Sequence, residues 1–283
     1  MNKMNIYAFA DEAGAELSVQ IAAMLRNRMQ GLEIRNIGKT NVSDLKASEA
    51  KEIRRQLDDA GLRTWSIGSP IGKIDIVKDD FAAHMDKFRN TIEVAHILGA
   101  ENIRLFSFYI PKGEDPAQYR NAVLDRLNQM VEAAAGSGVD LCHENEKGIY
   151  GDIASRCLDV LEHVKGLHGI FDPANFVQCG QDTLEGWAML KDHIKYMHIK
   201  DALPTGKVVP AGKGNGHLPE ILAAFAAQGG TALTLEPHLY DFSGLSKLER
   251  AGEKSVVGEY HFETPDAAFD AASNALKAIL ATL

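Results

Sequence analysis

Apolar residues recur along this chain in two alternating rhythms. Runs that are apolar throughout or alternate with a period of two cover residues 6–10, 31–34, 62–67, 103–106, 139–144, 168–171, 195–200 and 232–235, and these read as strands. Apolar positions at helical spacing cover residues 17–29, 47–60, 81–98, 116–135, 153–164, 183–193, 218–228 and 265–280. The punctuation agrees. Gly61 and Gly99 stand just past the second and third helices, where a left-handed residue is wanted. Asp115-Pro116 and Thr264-Pro265 each pair a capping side chain with a proline at the first helical position.

Eight strands alternating with eight helices, at about one unit per 35 residues, fit an α/β fold of the (β/α)₈ TIM-barrel type. No Pro/Ser/Gly-rich linker interrupts the rhythm, so residues 1–283 are expected to form a single domain. A doubly wound sheet is the competing architecture. The barrel is preferred because it turns the C-terminal ends of all its strands toward one mouth.

Four strands finish on residues that can ligate a metal: Glu144 after Leu141-Cys142-His143, Asp172 after Gly169-Ile170-Phe171, His198 near the end of 195–200, and Glu236 after Leu233-Thr234-Leu235. Taken singly, each has a structural explanation as a cap, an ion-pair partner or a satisfied core residue. Together, at the ends of four successive strands of one barrel, they point to a shared divalent ion. Three carboxylates and one imidazole suit Mn²⁺ or Mg²⁺ and tolerate Co²⁺ or Zn²⁺. Such an ion can polarise the carbonyl of a small sugar or keto-polyol and stabilise an enediolate. Glu144 and Glu236, from well-separated strands, are then the acid/base pair.

Other residues group around this set. Period-two alternation puts Tyr196, His198 and Lys200 on one face and turns His143 away from Glu144, while His168 and His193 lie at the opposite ends of their strands. His238, two residues beyond Glu236 on the same face, is expected to be a pocket residue or to support the ligands from behind rather than to be a ligand itself. Glu33, Arg35, Arg104, Lys200 and Asp201 are either pocket residues or members of buried ion pairs. The Gly-rich run 209–216, with Lys213, is either a phosphate cradle or a flexible turn. The long connection 240–263 is expected to be a lid or a contact in a homo-oligomer.

Composition narrows the partners. The formal charge of −9 disfavours nucleic acid and anionic lipid. Cys142, Cys157 and Cys179 lack CxxC spacing and read as free thiols of a reducing, cytoplasmic compartment. No run approaches the ~18 apolar residues of a membrane span, and no signal-type segment opens the chain.

The motifs His143-Glu144-Asn145-Glu146, Asp172-Pro173-Ala174-Asn175-Phe176, His198-Ile199-Lys200-Asp201 and Leu235-Glu236-Pro237-His238 resemble the sugar phosphate isomerase/epimerase family of xylose-isomerase-like barrels. The resemblance implies metal ligation by Glu144, Asp172, His198 and Glu236. Epimerases of that family often carry a substrate-binding His three residues after the Asp, and Asn175 stands there in this chain. The implied activity is isomerisation or epimerisation, with dehydration of a keto-polyol such as an inosose as the alternative. The endonuclease IV branch needs histidines on the third and fourth strands, where this chain has Trp65 and Arg104-Leu105-Phe106. A non-catalytic sugar-binding barrel is disfavoured because all four ligand positions hold competent residues.

Overall fold

A computed structural model describes residues 4–240 and 260–283 of the chain. Most of the connection expected to be a lid or oligomer contact therefore lies outside the described residues. Eight parallel strands close into a barrel: β1 (Asn5–Ala8), β2 (Gly31–Ile34), β3 (Arg63–Ile67), β4 (Asn102–Leu105), β5 (Asp140–Glu144), β6 (Leu167–Phe171), β7 (Ile194–Ile199) and β8 (Ala232–Leu235). The β1–β8 pairing completes the ring, with Ala8 opposite Leu235. The helices α1 (Leu17–Arg26), α2 (Ala47–Asp59), α3 (Phe81–Leu98), α4 (Arg120–Ala134), α5 (Ala154–His163), α6 (Pro173–Gln178), α7 (Thr183–Leu190), α8 (Leu218–Ala227) and α9 (Pro265–Leu280) are set between and after the strands. Among the described residues, no helix is long and apolar enough to cross a membrane.

The strand alternation builds two cores. Side chains on the outer wall, such as Leu32, Ile103, Leu141 and Leu233, pack against the helices. Inward-facing Tyr7, Trp65, Cys142, Ile170, Tyr196 and Ala232 form a separate buried cluster. Tyr7 stacks on Trp65 at 4.8 Å and Trp65 meets Tyr196 edge-on at 5.7 Å, so residues of non-adjacent strands touch across the lumen. This aromatic plug closes the lower barrel. Two residues further along the same strands, the inward positions become Phe9, Glu144, Asp172 and His198, because a pleated strand returns to the same face at every second residue.

Several expected boundaries move. The first strand ends at Ala8, and Ala10–Glu12 forms a 3₁₀ turn whose two carboxylates are drawn to Arg35. The helix expected over 116–135 is a 3₁₀ turn, Pro116–Tyr119, followed by α4. The helix expected over 183–193 ends at Leu190 and gives way to a further 3₁₀ turn, Lys191–His193. Helix α6 was not expected; the side chain of Asp172 caps it by accepting from the Asn175 amide, with Pro173 at the first position. Two short hairpins, Asn36–Ile37 with Thr40–Asn41 and Asp201–Ala202 with Val208–Val209, also went unread, being only two residues per strand.

Candidate metal centre

The ends of β5 to β8 bring Glu144, Asp172, His198 and Glu236 together. One ligand-type atom from each lies within 4.8 Å of the others, and all four residues are buried. His198 Nδ1 stands 2.9 Å from Glu144 Oε1 and 3.6 Å from Glu236 Oε2, while its Nε2 stands 3.1 Å from Glu33 Oε2. Both nitrogens face carboxylates. Burial opposes charge on this ring, yet Glu144 and Glu33 outweigh it and lift His198 to about 10.

Each carboxylate has divided duties. Glu144 Oε2 accepts from Arg104 (3.1 Å), and its Oε1 faces His198 and the Asn175 amide nitrogen. Burial works against its charge, but His198 and Arg104 hold its pKa below the ordinary range. Glu236 Oε2 accepts from Lys200 (3.0 Å), and its Oε1 accepts from Arg35 (3.3 Å) and lies 3.3 Å from His238 Nε2. Against burial, Lys200, His238 and His198 keep Glu236 well below its usual value. Asp172 differs. Burial lifts it to about 6 in spite of Lys200, with Glu236 and Glu144 adding to the rise.

Asp172 carries the feature that best suits the cluster to a metal ion. Its Oδ1 caps α6, but its Oδ2 is buried and accepts no hydrogen bond; Lys200 Nζ stands 2.8 Å away without hydrogen-bond geometry. A buried acceptor left in that condition is costly unless something else coordinates it. The charges agree with this. Six deeply buried carboxylates around the cluster (Asp11, Glu12, Glu33, Glu144, Asp172, Glu236) meet Arg35, Arg104, Lys200 and the His198 imidazolium, so negative charge stays in excess. The donor set therefore fits a divalent ion held by Glu144, Asp172, His198 and Glu236.

The remaining expected site residues separate. Asn175 is beside Glu144, with its amide also donating to the Asn145 carbonyl (2.9 Å). Lys200 and His238 are at the cluster. Glu33 is fully buried behind His198, where its Oε2 faces His198 Nε2 at 3.1 Å and its Oε1 accepts from the Tyr196 hydroxyl (3.1 Å), a position from which it can orient the imidazole. Arg104 is likewise buried, shared between Glu144 and the Gly68 carbonyl (3.0 Å), and lies over the Phe9 ring.

Asp201 is not turned to the centre either. Its carboxylate accepts from the amides of Ala202, Gly212, Gly214 and Gly216, each at 2.9 Å. The loop amides that a phosphate would need are thus bound to an internal anion, and Lys213 is exposed on that loop. Two of these glycines are required by this closeness: a Cβ at Gly214 would lie 2.4 Å from Asp201 Oδ1, and one at Gly216 2.7 Å from it. As expected, His143 faces away, toward Ser107 Oγ at 2.9 Å, and His168 and His193 line a hollow with Asp140 and Asp192 at the other end of the barrel.

The sequence reading passed over Asp11, Glu12 and Asn145 as functional residues. Asn145 clamps Asp172 in both directions, donating to its carbonyl (3.0 Å) and accepting from its amide (2.9 Å). Asp11 and Glu12 bind Arg35, and the signal available for them was their place at the end of the first strand.

Solved structures share this architecture. One is the IolI protein with a bound zinc atom (14% identity, TM-score 0.75, 99% of each chain covered). Another is the probable 3-DHS dehydratase AsbF from Bacillus anthracis (16%, TM-score 0.73, 97% of this chain and 98% of that one). A third is D-psicose 3-epimerase from Clostridium cellulolyticum H10, solved with D-tagatose (13%, TM-score 0.73, 98% and 99%). At these identities the likeness establishes the fold. No curated protein sequence matches the chain. Residues 24–256 match the family model described as xylose isomerase-like TIM barrel, and the chain belongs to that family.

Proposed function

We propose that this protein is a divalent-metal-dependent isomerase or epimerase of a small sugar, keto-sugar or polyol derivative. The observation that carries the reading is the convergence of Glu144, Asp172, His198 and Glu236 at the mouth of the barrel, with a buried Asp172 oxygen that accepts no hydrogen bond. When bound, a divalent ion supplies Lewis acidity toward a substrate carbonyl and its neighbouring hydroxyl. The zinc named for the IolI structure and the ketose named for the psicose epimerase support the same reading by analogy.

The chain's own groups would handle the proton. Glu144 and Glu236 approach from β5 and β8, so a carbon held between them is open to one carboxylate on each side. Arg104 and Arg35 each fix one oxygen of these carboxylates and leave the other turned inward. Their lowered pKa values keep both anionic near neutrality, the state a general base needs. One takes the proton α to the carbonyl, and the other, having first picked up a proton from solvent, delivers that second proton to the opposite face. Asn175 offers a neutral hydrogen-bonding amide beside Glu144 and no charge.

The test is solvent exchange. Metal-replete protein incubated with candidate ketoses in deuterated water should place deuterium α to the carbonyl, followed by NMR. Glu144→Gln and Glu236→Gln should each reduce that exchange at least a hundredfold. Full exchange in either variant would remove that residue from the acid/base pair. Release of water to give an unsaturated product would convert the reading to a dehydratase.

A further inference from the structure

A second group of ligand-type side chains adjoins the first. Glu12, Glu236 and His238 offer atoms within 4.8 Å of one another, and Glu236 is common to both groups. Two oxygens and an imidazole sharing a bridging glutamate have the makings of a second cation site. Yet a cation of the chain's own is already there. Arg35 Nη2 donates to Glu12 Oε1 (3.1 Å), Arg35 Nη1 donates to Glu236 Oε1 (3.3 Å), and the same Nη1 stands 3.5 Å from His238 Nε2. The guanidinium thus touches all three atoms that would hold an ion.

We propose that Arg35 is the resident cation of this second cluster and limits the centre to a single metal ion. The inference rests on the reading of the first cluster as a metal site. Arg35 is not free to withdraw. Its Nε and Nη2 form a two-point pair with Asp11 (3.0 Å each), its carbon lies 4.6 Å above the Phe9 ring, and its side chain is fully buried. An ion within bonding distance of Glu12, Glu236 and His238 would face that fixed positive charge with little water between them. Lys200, the cation at the first cluster, is held differently. It is a point charge on a flexible stem, its ion pairs among the described residues are with Asp172 and Glu236, and it leaves Asp172 Oδ2 without a hydrogen bond. It can swing aside for an ion where the Arg35 fork cannot.

The experiment is metal counting by elemental analysis after saturation with Mn²⁺ and removal of unbound ion, with circular dichroism as the check on folding. Wild type should hold one equivalent, Arg35→Lys one, and Arg35→Ala two, the two Mn²⁺ ions giving a spin-coupled EPR spectrum because Glu236 bridges them. Two equivalents in wild type, or a folded Arg35→Ala that holds no more metal than wild type, would overturn the proposal. Should Arg35→Ala fail to fold, Glu12→Gln decides: an unchanged wild-type count supports the proposal, and a lowered count overturns it. A wild type without metal, beside an Arg35→Ala that gains one equivalent, would refute the first-cluster reading while upholding the role of Arg35.

Discussion

Replacing Asp201 by asparagine tests how the mouth of the barrel is built after β7. The native carboxylate accepts four amide hydrogen bonds, from Ala202 and Gly216 on Oδ1 and from Gly212 and Gly214 on Oδ2. Asparagine keeps one acceptor and turns an NH₂ toward the other pair of amides, so two bonds are lost and two donors are left facing a donor. A hydrogen bond to a charged group contributes about 1.5–3 kcal/mol. Burial raises the pKa of Asp201 even against these amides, which shows that desolvating the carboxylate offsets part of the gain. About 2 kcal/mol is then the expected net loss, or roughly 3–4 °C in Tm for a chain of this size. Scanning calorimetry measures the loss, and amide exchange should localise it to Gly212, Gly214 and Gly216. Inorganic phosphate should leave the wild-type Tm unchanged, since these amides already hold an anion. An Asp201→Asn protein with native Tm and native protection of those glycines would refute the account, as would clear stabilisation of wild type by phosphate.

Two further outcomes follow from burial. Cys142 and Cys157 are buried, with pKa values pushed up by burial, and burial lifts Cys179 to about 12. All three thiols should therefore react slowly with a thiol-specific chromogenic disulfide at pH 8 in the native protein and rapidly in denaturant; fast native labelling of Cys142 would contradict the packed barrel interior. His84 accepts the Gly72 amide through Nε2 (2.8 Å), and burial lowers it to about 4. The unfolded chain binds a proton there near pH 6.5 and the folded chain does not, so this residue's contribution is intact above that pH and is lost as pH falls from about 6.5 to about 4. Urea unfolding at pH 7 and pH 5 should show a larger loss for wild type than for His84→Gln, whose side-chain oxygen can still accept from Gly72; equal losses would place the pH dependence elsewhere.

The sequence was most legible where one strand carried one function. Glu144, Asp172, His198 and Glu236 were readable because each ends an apolar run, and a closed barrel turns every such end toward the same mouth. The family motifs pointed to the same four positions. The inward direction of His198 and the outward direction of His143 followed from alternation alone. What alternation cannot supply is partner choice. Glu33 looked like a pocket residue because it lies near the end of β2, but the Leu32/Glu33 bulge in the β2–β3 pairing and the aromatic plug below it leave Glu33 between Tyr196 and His198. Asp201 looked equally available, and its role depended on a loop that doubles back from Gly212 to Gly216. The short α6 escaped notice because six residues give too few turns for a periodic signal, even with Asp172 and Pro173 marking its start.

These omissions share one cause, which also explains how the centre holds its shape. Ligand identity is a property of single residues, whereas charge balance belongs to a whole layer of the barrel. The layer at the strand ends places arginines from β4 and the residue after β2, a lysine from the residue after β7, and carboxylates from β2, β5, β6 and β8 within hydrogen-bonding range of one another. None of Glu33, Glu144, Asp172 and Glu236 has both oxygens turned to the same partner. Glu144 is pulled by Arg104 on one side and His198 on the other, and Glu236 by Arg35 and Lys200. Opposed pulls of this kind fix the plane of each carboxylate before any ligand arrives, and preorganised charge is the condition for strong electrostatic assistance in a site that excludes water. Removing one cation would leave one oxygen of a carboxylate unpaired and its plane held from one side alone, so the loss should weaken geometry and charge together. The acidic excess that remains after all these pairings is what a divalent ion would neutralise, and Asp172 Oδ2, the one carboxylate oxygen among the four ligand residues that is buried without a hydrogen bond, is the atom at which that neutralisation would be felt most directly.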